Sequence, residues 1–418
     1  MINNSSLVFN KIDSIAPVSI RLTASKSISN RALIIAALCD EDSQLMNLAA
    51  ARDTQLMKRL LPEPAETIDV MDAGTTMRFL TGYFALSGKT KILTGTPRMQ
   101  ERPIGILVEA LKEIGADIEY LGKQGFPPHK TLGFNQQKTN EITIPGDISS
   151  QYISSLLMMA PTLPKGLTII MTGRVMSRPY IEMTLGIMDR FGVKHEWLEN
   201  KIKIPNQSYQ ATTFKVEADW SAASYWYSLV ALSNDVEVKL EGLESNSLQG
   251  DRQIVDIMQH LGVQTEFHHN GLLLTRGDLT EEPLVWDFSS CPDLAPTVMA
   301  SCTALGVPCQ ATGLESLRIK ETDRIAALQN ELGKVGATLD EHDGHWSLFP
   351  PTDPDWSQTV YFDTYDDHRM AMALAPLALR LAVVIDDPEV VNKSYPDFWK
   401  DLEKAGLRGT RQQPFISE

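Results

Sequence analysis

The stretch "DISSQYISSLLMMAP", from Asp147 to Pro161, places small polar residues directly before an apolar run. A run that is apolar on every side predicts a buried helix, and the polar residues before it are typical of a helix start. Because the pattern recurs along the chain, it indicates a repeated structural unit. The other five copies are "ASKSISNRALIIAAL" from Ala24, "AGTTMRFLTGYFAL" from Ala73, "DWSAASYWYSLVAL" from Asp219, "DLAPTVMASCTAL" from Asp293 and "DHRMAMALAPLAL" from Asp367.

Consecutive copies begin 49, 74, 72, 74 and 74 residues apart, so the first repeat is short. A second, amphipathic helix pattern follows each copy and ends at a glycine, except in the short repeat, where "RDTQLMKRLLPEPAE" (Arg52–Glu66) lacks that turn. Short β-branched runs then follow, such as "KIKIP" and "HWSLF". Each full repeat therefore reads strand, helix, strand, helix, strands. The predicted helix-ending glycines are Gly115, Gly192, Gly262, Gly336 and Gly406.

Six such repeats, in two groups of three, predict two similar α/β domains, which the length of 418 residues also favours. A cleft between two domains is the usual place for a ligand. The net charge of −15 argues against a partner that is a nucleic acid or a membrane surface.

The longest apolar run, Met370–Ile385, is interrupted by Pro376 and Arg380. We interpret it as a buried helix leading into a buried strand. The first 17 residues lack a signal-peptide pattern, and the four cysteines form no C-x-x-C pair. These features lead us to expect a cytoplasmic protein with reduced thiols.

Basic residues lie at or near several predicted helix starts, where unpaired N–H groups bind anions. In "TASKSISNRAL", Lys26, Ser27 and Arg31 suit a phosphate or a carboxylate. Gly74 lets the backbone approach a ligand closely. Ordinary helix capping remains an alternative explanation for the small polar residues. Further candidates for anion and hydroxyl binding are Arg78, Arg102, Ser149, Ser150, Gln151 and Arg369.

The stretch "LRIKETDRIAAL" (Leu317–Leu328) carries acids and bases where an apolar helix pattern begins. Helical spacing would place Lys320 and Arg324 on one side of the helix, with Glu321 three residues before Arg324. A solvated ladder of ion pairs and the wall of an anion site both fit this pattern. The chain has no P-loop and no cluster of His or Cys at metal-ligand spacing, so we expect neither a nucleotide triphosphate nor a metal.

Nine short motifs together resemble the 5-enolpyruvylshikimate-3-phosphate synthase family, in order and in approximate spacing. They are "LTASKSISNRAL", "DAGTTMRFL", "TPRMQERPIG", "SSQY", "SRPY", "PDLAPT", "RIKETDRI", "DDHRMAMA" and "KSYPDF". The resemblance implies an α/β fold of two similar domains, each an inside-out α/β barrel of three βαβαββ repeats. We expect one domain from residues 1–22 and 218–418 and the other from 23–217, with the truncated repeat first and the active site in the cleft between them.

The resemblance implies transfer of the enolpyruvyl group of phosphoenolpyruvate to the 5-hydroxyl of shikimate 3-phosphate, with release of phosphate, in aromatic amino acid biosynthesis. It implies no cofactor, and we expect a monomer. Shikimate 3-phosphate would contact Lys26, Ser27, Arg31, Ser149, Ser150, Gln151, Ser177, Tyr180, Asp293, Ser316 and Lys320. Phosphoenolpyruvate would contact Lys26, Gly74, Arg102, Gln151, Arg324, Arg369 and Lys393.

The same resemblance implies the catalytic groups. Glu321 would exchange a proton with the methylene carbon, and Asp293 would face the attacking hydroxyl. Lys320 would assist that proton transfer, and Lys26 would contact both substrates.

The chain departs from the family pattern at several positions. Asp72 stands where the family has Asn, Phe79 where it has Pro, and Ser316 where it has a longer Asn. The gap from Asp53 to Asp72 is also short, so we expect a strand or helix to be missing there.

Two other functions remain as alternatives. One is the related enolpyruvyl transferase that acts on UDP-N-acetylglucosamine, which generally carries a cysteine in the loop that here reads "TGTPRMQERP". The other is a binding protein that has kept the fold without turnover.

Overall fold

The structure is a computed structural model, and it describes residues 5–280 and 282–412. The chain divides into two compact units. The continuous unit is Ser25–Val216, and the split unit combines the segment up to Ala24 with the segment from Glu217 onward.

Strands and helices alternate along most of the chain. The strands are β1 (Ser6–Phe9), β2 (Val18–Arg21), β3 (Gln44–Met46), β4 (Thr67–Asp69), β5 (Lys91–Thr94), β6 (Ala116–Tyr120), β7 (His129–Phe134), β8 (Glu141–Pro145), β9 (Leu167–Thr172), β10 (Glu196–Leu198), β11 (Lys201–Ile204), β12 (Thr213–Lys215), β13 (Glu237–Glu241), β14 (Val263–His268), β15 (Gly271–Arg276), β16 (Leu284–Asp287), β17 (Cys309–Thr312), β18 (Thr338–His342), β19 (His345–Phe349), β20 (Thr359–Phe362), β21 (Ala382–Asp386) and β22 (Gly409–Gln412). The helices are α1 (Lys26–Ala36), α2 (Arg52–Leu60), α3 (Gly74–Leu86), α4 (Pro97–Gln100), α5 (Gly105–Ile114), α6 (Ser150–Met159), α7 (Arg178–Arg190), α8 (Trp220–Leu232), α9 (Ile254–His260), α10 (Ala295–Leu305), α11 (Arg324–Gly333), α12 (His368–Leu374) and α13 (Phe398–Lys404).

The predicted repeat is confirmed, because each full copy forms its own four-stranded sheet. In the copy from β8 to β11, β8 and β9 are parallel and joined through α6. After α7, the hairpin of β10 and β11 returns antiparallel, which gives the order β10-β11-β9-β8. The sheets β4-β5-β7-β6 and β16-β17-β19-β18 have the same order of connections. Each of these copies is a βαβαββ unit.

Segments distant in the chain complete the outermost repeats. In the split unit, β2 pairs in parallel with β13, while β1 lies antiparallel between β21 and β22. In the continuous unit, β12 pairs in parallel with β3. The amino-terminal segment therefore contributes to two different sheets of the split unit.

The short first repeat has lost its β-hairpin. Both of its helices, α1 and α2, are present, but its sheet contains only β12 and β3. After α2 the chain passes within a few residues to β4, which begins the next repeat. The expectation that an element is missing there is confirmed, and the missing element is the antiparallel pair of strands.

The five glycines predicted to end the second helices all have positive φ angles. Gly115, directly after α5, has φ 129°, which side chains other than glycine rarely adopt. A Cβ atom there would also lie 2.3 Å from the carbonyl oxygen of Gln136. Both the angle and the close approach of the backbone therefore require glycine at this position.

The first helix of each repeat lies in the core of its unit. In the split unit, α8, α10 and α12 pack against one another, and nearly all of their residues are buried. In the continuous unit, α1, α3 and α6 make the equivalent contacts. The helices therefore form the core of each unit, as expected for an inside-out barrel.

The interpretation of Met370–Ile385 is also confirmed. Buried α12 continues into a buried 3-10 turn, Ala375–Leu379, and then into β21. Among the described residues, none of the helices has the length and apolarity needed to cross a membrane.

Candidate active site

Helix α11 begins at Arg324, after Lys320 and Glu321. Asp323 is the N-cap, and its Oδ1 accepts hydrogen bonds from the backbone N–H groups of Ile325 and Ala326, both at 3.1 Å. Lys320 lies outside the helix, in extended backbone after the 3-10 turn Glu315–Ile319. The prediction that helical spacing aligns Lys320 with Arg324 is therefore wrong, because capping by Asp323 starts the helix after both Lys320 and Glu321.

Arg324 is nonetheless the centre of a charged cluster. Its side chain is 1% exposed, and its Nη1 and Nη2 donate to Asp293 and Glu321, at 2.8 Å each. Its Nε and Nη2 also donate to the two carboxylate oxygens of Asp367, at 2.7 and 3.1 Å. One planar guanidinium thus makes four hydrogen bonds to three carboxylates, more than the three N–H groups of a lysine could donate.

Asp367 is a residue of this cluster that the sequence did not assign to the site. It is the N-cap of α12, and its Oδ1 accepts from the backbone N–H of Arg369 at 2.9 Å. Its fully buried carboxylate therefore caps one helix while it fixes Arg324, at the start of another. The acid before "HRMAMAL" is the local signal that could have indicated this role.

Asp293 differs from the acids that begin the neighbouring repeats. Asp219 and Asp367 cap α8 and α12, whereas Asp293 lies in the 3-10 turn Pro292–Leu294, before α10. The N-cap of α10 is Leu294, which makes no side-chain capping bond. The Asp293 carboxylate instead contacts cations.

Three cations surround this carboxylate. Arg324 Nη1 and Lys320 Nζ lie 2.8 and 3.5 Å from Asp293 Oδ1, and Arg369 Nη2 lies 3.0 Å from Oδ2. Burial raises the pKa of Asp293, but Arg369, Lys320 and Arg324 together lower it more, so the net pKa lies well below the usual range. Asp293 is therefore ionised at neutral pH.

Glu321 and Lys393 complete what we call the split-unit cluster. Lys393 ends the 3-10 turn Pro388–Lys393, is 2% exposed, and places its Nζ 3.6 Å from Glu321 Oε1. Glu321 thus lies between two cations, Arg324 and Lys393. Half-buried Ser316 lies in the turn that precedes Lys320. The cluster consists of Asp293, Lys320, Glu321, Arg324, Asp367, Arg369 and Lys393.

The continuous unit has its own basic group at the start of α3. The N-cap of α3 is Ala73, which makes no side-chain capping bond. A Cβ atom at Gly74 would lie 2.7 Å from Arg102 Nη2 and 2.8 Å from Arg78 Nη1. Glycine therefore lets two guanidinium groups approach this helix start, an arrangement suited to an anion.

Lys26 and Ser27 begin α1, and Arg31 lies one turn later. Lys26 Nζ contacts buried Asp53 at 3.3 Å. Arg31 donates to Thr184 Oγ1 at 2.7 Å and to Ser154 Oγ at 3.1 Å. Burial lowers the pKa of Arg31 to about 10, so it stays charged at neutral pH.

The candidates on α6 and α7 occupy two further helix starts. Ser149 caps α6, and Gln151 Nε2 donates to Thr75 Oγ1 at 3.1 Å, which joins α6 to α3. Ser150 is the first residue of α6 and is buried. Ser177 precedes α7 with φ 52°, a strained backbone that is often found at functional sites. Tyr180 places its ring 5.9 Å from the Arg31 guanidinium.

Two departures from the family pattern receive a structural explanation. Asp72 is paired with Arg52, whose Nη2 contacts the two carboxylate oxygens at 2.7 and 2.8 Å. Its negative charge is therefore compensated. Phe79 is buried, and its ring centroid lies 5.3 Å from Arg31 Cζ, so Arg31 lies over two aromatic rings.

Helix capping and anion binding both account for part of the pattern. Ser25, Ser149, Asp219 and Asp367 are side-chain N-caps, which is the ordinary explanation. Among the first helices of the six repeats, α3 and α10 are the two that start without a side-chain capping bond. The basic residues gather at α3 and around Asp293, which capping does not explain.

Known proteins share both this sequence and this fold. The sequence profile of EPSP synthase (3-phosphoshikimate 1-carboxyvinyltransferase) matches residues 15–63 and 58–402. The 3-phosphoshikimate 1-carboxyvinyltransferase of Bacteroides fragilis is 48% identical over 393 residues, which cover 93% of this chain and 95% of the relative. The 3-phosphoshikimate 1-carboxyvinyltransferase of Vibrio cholerae serotype O1 is 37% identical over 413 residues, which cover 91% of this chain and 95% of the relative.

Solved structures agree on the fold. An EPSP synthase from Acinetobacter baumannii aligns with TM-score 0.80 at 19% identity, over 98% of this chain and all of that one. The enolpyruvyl transferase NikO from Streptomyces tendae aligns with TM-score 0.75 at 14% identity, over 98% of this chain and 99% of that one. Together with the sequence matches, these findings show that the chain belongs to the EPSP synthase family.

Proposed function

We propose that the protein transfers the enolpyruvyl group of phosphoenolpyruvate to the 5-hydroxyl of shikimate 3-phosphate, with release of phosphate. The observation that carries this proposal is the arrangement around Arg324. Asp293 and Glu321 contact the same guanidinium at 2.8 Å each, so the two carboxylates that the reaction needs are held together. Relatives with 37–48% identity over most of the chain are named for this reaction.

The balance of the reaction explains why two carboxylates are needed. The 5-hydroxyl loses a proton as its oxygen bonds to the central carbon of phosphoenolpyruvate, and the methylene carbon gains one. When phosphate leaves and the double bond forms again, the methylene carbon returns its proton. Over the whole reaction, the proton of the 5-hydroxyl therefore leaves with the released phosphate. One group must therefore both give and accept a proton, and another must face the hydroxyl.

Glu321 is the group that we assign to the methylene carbon. Its neighbours Arg324 and Lys393 favour its ionised form in the free protein. Two polyanionic substrates compensate these cations, which allows Glu321 to carry a proton in the loaded site.

Asp293 is the group that we assign to the 5-hydroxyl. Its low pKa keeps it an acceptor of the hydroxyl hydrogen bond. Lys320 Nζ, at 3.5 Å from the same carboxylate, is positioned to take part in the removal of the hydroxyl proton.

We assign the remaining basic residues to substrate binding. Phosphate and carboxylate groups favour guanidinium forks and helix N-termini, which the start of α3 and the split-unit cluster provide. Phosphoenolpyruvate would contact Lys26, Gly74, Arg102, Gln151, Arg324, Arg369 and Lys393. Shikimate 3-phosphate would contact Lys26, Ser27, Arg31, Ser149, Ser150, Gln151, Ser177, Tyr180, Asp293, Ser316 and Lys320.

We further propose that the protein acts as a monomer in the cytoplasm. A single chain carries every assigned group, which supports a monomer. The four cysteines are free thiols, as is usual in a reducing compartment. Sedimentation of the purified protein tests the first proposal, and a stable dimer would contradict it.

Release of phosphate from phosphoenolpyruvate tests the function against its alternatives. The protein is incubated with phosphoenolpyruvate and either shikimate 3-phosphate or UDP-N-acetylglucosamine. Release with shikimate 3-phosphate alone supports the proposal. Release with the UDP-sugar would assign the related transferase activity, and release with neither would indicate a binding protein.

A further inference from the structure

Asp251 is a buried carboxylate that the proposed reaction does not use. It lies in the 3-10 turn Gly250–Gln253 and is 3% exposed. Its Oδ2 accepts a hydrogen bond from Ser221 Oγ, whereas its Oδ1 has no partner among the described residues. A buried carboxylate with so few hydrogen bonds lowers the stability of the fold. Helix capping does not explain its presence, because the 3-10 turn has no side-chain capping bond.

Ser221 connects this carboxylate to the split-unit cluster. It is the second residue of α8, and its Oγ accepts a hydrogen bond from Arg369 Nη2 at 3.2 Å. A serine hydroxyl carries one proton. Because Asp251 accepts that proton, the lone pairs of the hydroxyl remain directed toward Arg369.

Arg369 is therefore held from two sides. Its Nη2, which contacts Ser221, also lies 3.0 Å from Asp293 Oδ2, and its Nη1 lies 3.4 Å from the Asp293 carbonyl oxygen. Contacts on two sides limit the rotation of the guanidinium, and a binding group that is fixed in advance loses less freedom when its ligand arrives.

We propose that Asp251 is a positioning residue, which acts through Ser221 to hold the Arg369 guanidinium beside Asp293 for the binding of phosphoenolpyruvate. The proposal rests on the proposed function, which assigns Arg369 to this substrate. It explains why the carboxylate is kept in the core although its burial is unfavourable.

The charges around Asp251 fit this role. Burial raises the pKa of Asp251 to about 6, an effect that Arg369 opposes and that Asp293 and Asp219 increase. At pH 7.5 the carboxylate is therefore ionised, and it accepts the Ser221 proton.

A double-mutant cycle tests the link. We expect Asp251→Ala and Ser221→Ala each to raise KM for phosphoenolpyruvate about tenfold and to change kcat and KM for shikimate 3-phosphate less than about threefold. In the Ser221→Ala background, Asp251→Ala should not raise KM for phosphoenolpyruvate any further. Asp251→Asn keeps an acceptor for the serine hydroxyl, so its KM for phosphoenolpyruvate should stay within about threefold of the wild-type value. Ser228→Ala, a buried serine further along α8, is the matched control and should change none of these constants.

Each outcome decides the proposal. If Asp251→Ala changes both KM values and kcat in proportion to a lower unfolding temperature, the residue is structural only and the proposal is wrong. An undiminished effect of Asp251→Ala in the Ser221→Ala background would also overturn it, because the carboxylate would then act without the serine.

A second measurement does not depend on the activity. In crystal structures of the two alanine variants, we expect Arg369 Nη2 to leave its position beside Asp293 Oδ2. An unchanged guanidinium would overturn the proposal even if the protein catalysed another reaction. Absence of phosphate release from the wild-type protein would instead count against the proposed function.

Discussion

Replacement of Asp251 by Asn should stabilise the protein, and the gain should depend on pH. Burial raises the pKa of Asp251 from 3.8 to about 6 in the folded protein. The folded state therefore binds this proton more tightly than the unfolded state does. As pH rises through 4 to 6, the unfolded chain loses the proton first, so ionisation reduces the free energy of unfolding. The full loss of unfolding free energy is therefore present at pH values above the folded-state pKa.

The size of the cost follows from the shift. At neutral pH, a shift of about 2 units corresponds to about 3 kcal/mol, at roughly 1.4 kcal/mol per unit. At pH 5 the folded-state carboxyl is mostly protonated, and the cost falls to about 1 to 2 kcal/mol. The asparagine does not ionise, and any cost of burying its amide is independent of pH. The gain from the substitution should therefore be greater at pH 7.5 than at pH 5, by about 1 to 2 kcal/mol.

Urea unfolding of the wild-type protein and of Asp251→Asn at these two pH values measures the difference. Asp256→Asn is the matched control, because Asp256 is exposed on the adjacent helix α9. We expect its effect to be the same at both pH values. A gain for Asp251→Asn that is equal at the two pH values, or larger at pH 5, would refute the reasoning.

Three further substitutions test the assigned roles. Glu321→Gln keeps the shape of the side chain but removes the ionisable proton, so kcat for phosphate release should fall at least about 100-fold in a protein that still folds. Near-normal turnover of the folded variant would contradict the role. Arg324→Lys removes the fork that contacts both carboxylate oxygens of buried Asp367 and should lower the free energy of unfolding by about 3 to 5 kcal/mol in urea. A loss below about 1 kcal/mol would show that the lysine replaces the fork. Gly74→Ala places a Cβ 2.7 Å from Arg102 Nη2 and should raise KM for phosphoenolpyruvate about tenfold but leave KM for shikimate 3-phosphate unchanged; an equal rise in both would argue against a specific contact.

The repeat could be predicted from the sequence because its signals are local. Apolar runs and helix-ending glycines such as Gly115 depend on neighbouring residues, and both recur at a constant interval. The interval also located the short repeat. The short interval did not show which element was missing. The prolines after α2 are compatible with the loss of a helix and with the loss of the hairpin.

The start of α11 shows where local signals compete. Lys320 and Arg324 are four positions apart, which is a helical spacing, but Asp323 is a strong N-cap and starts the helix after Lys320. Lys320 and Arg324 still meet at Asp293, through a turn followed by a helix start and not through one helix face.

Contacts between residues that are distant in the chain could not be predicted from the sequence. Ser221 contacts Arg369 across 148 positions, and Arg324 contacts Asp367 across 43. No local motif distinguishes Asp251 from an ordinary acid near a helix start, and the motif that begins at Asp367 does not show which arginine the carboxylate contacts. Their roles became visible only when the fold placed them beside buried guanidinium groups.

The identity of the product tests the central claim most directly. The protein is incubated with carbon-13-labelled phosphoenolpyruvate and shikimate 3-phosphate, and the reaction is followed by carbon and phosphorus NMR. We expect the labelled carbons to appear as an enol ether on the 5-oxygen of shikimate 3-phosphate, with one phosphate released for each transfer. Labelled pyruvate with free phosphate, or unchanged phosphoenolpyruvate, would contradict the assignment.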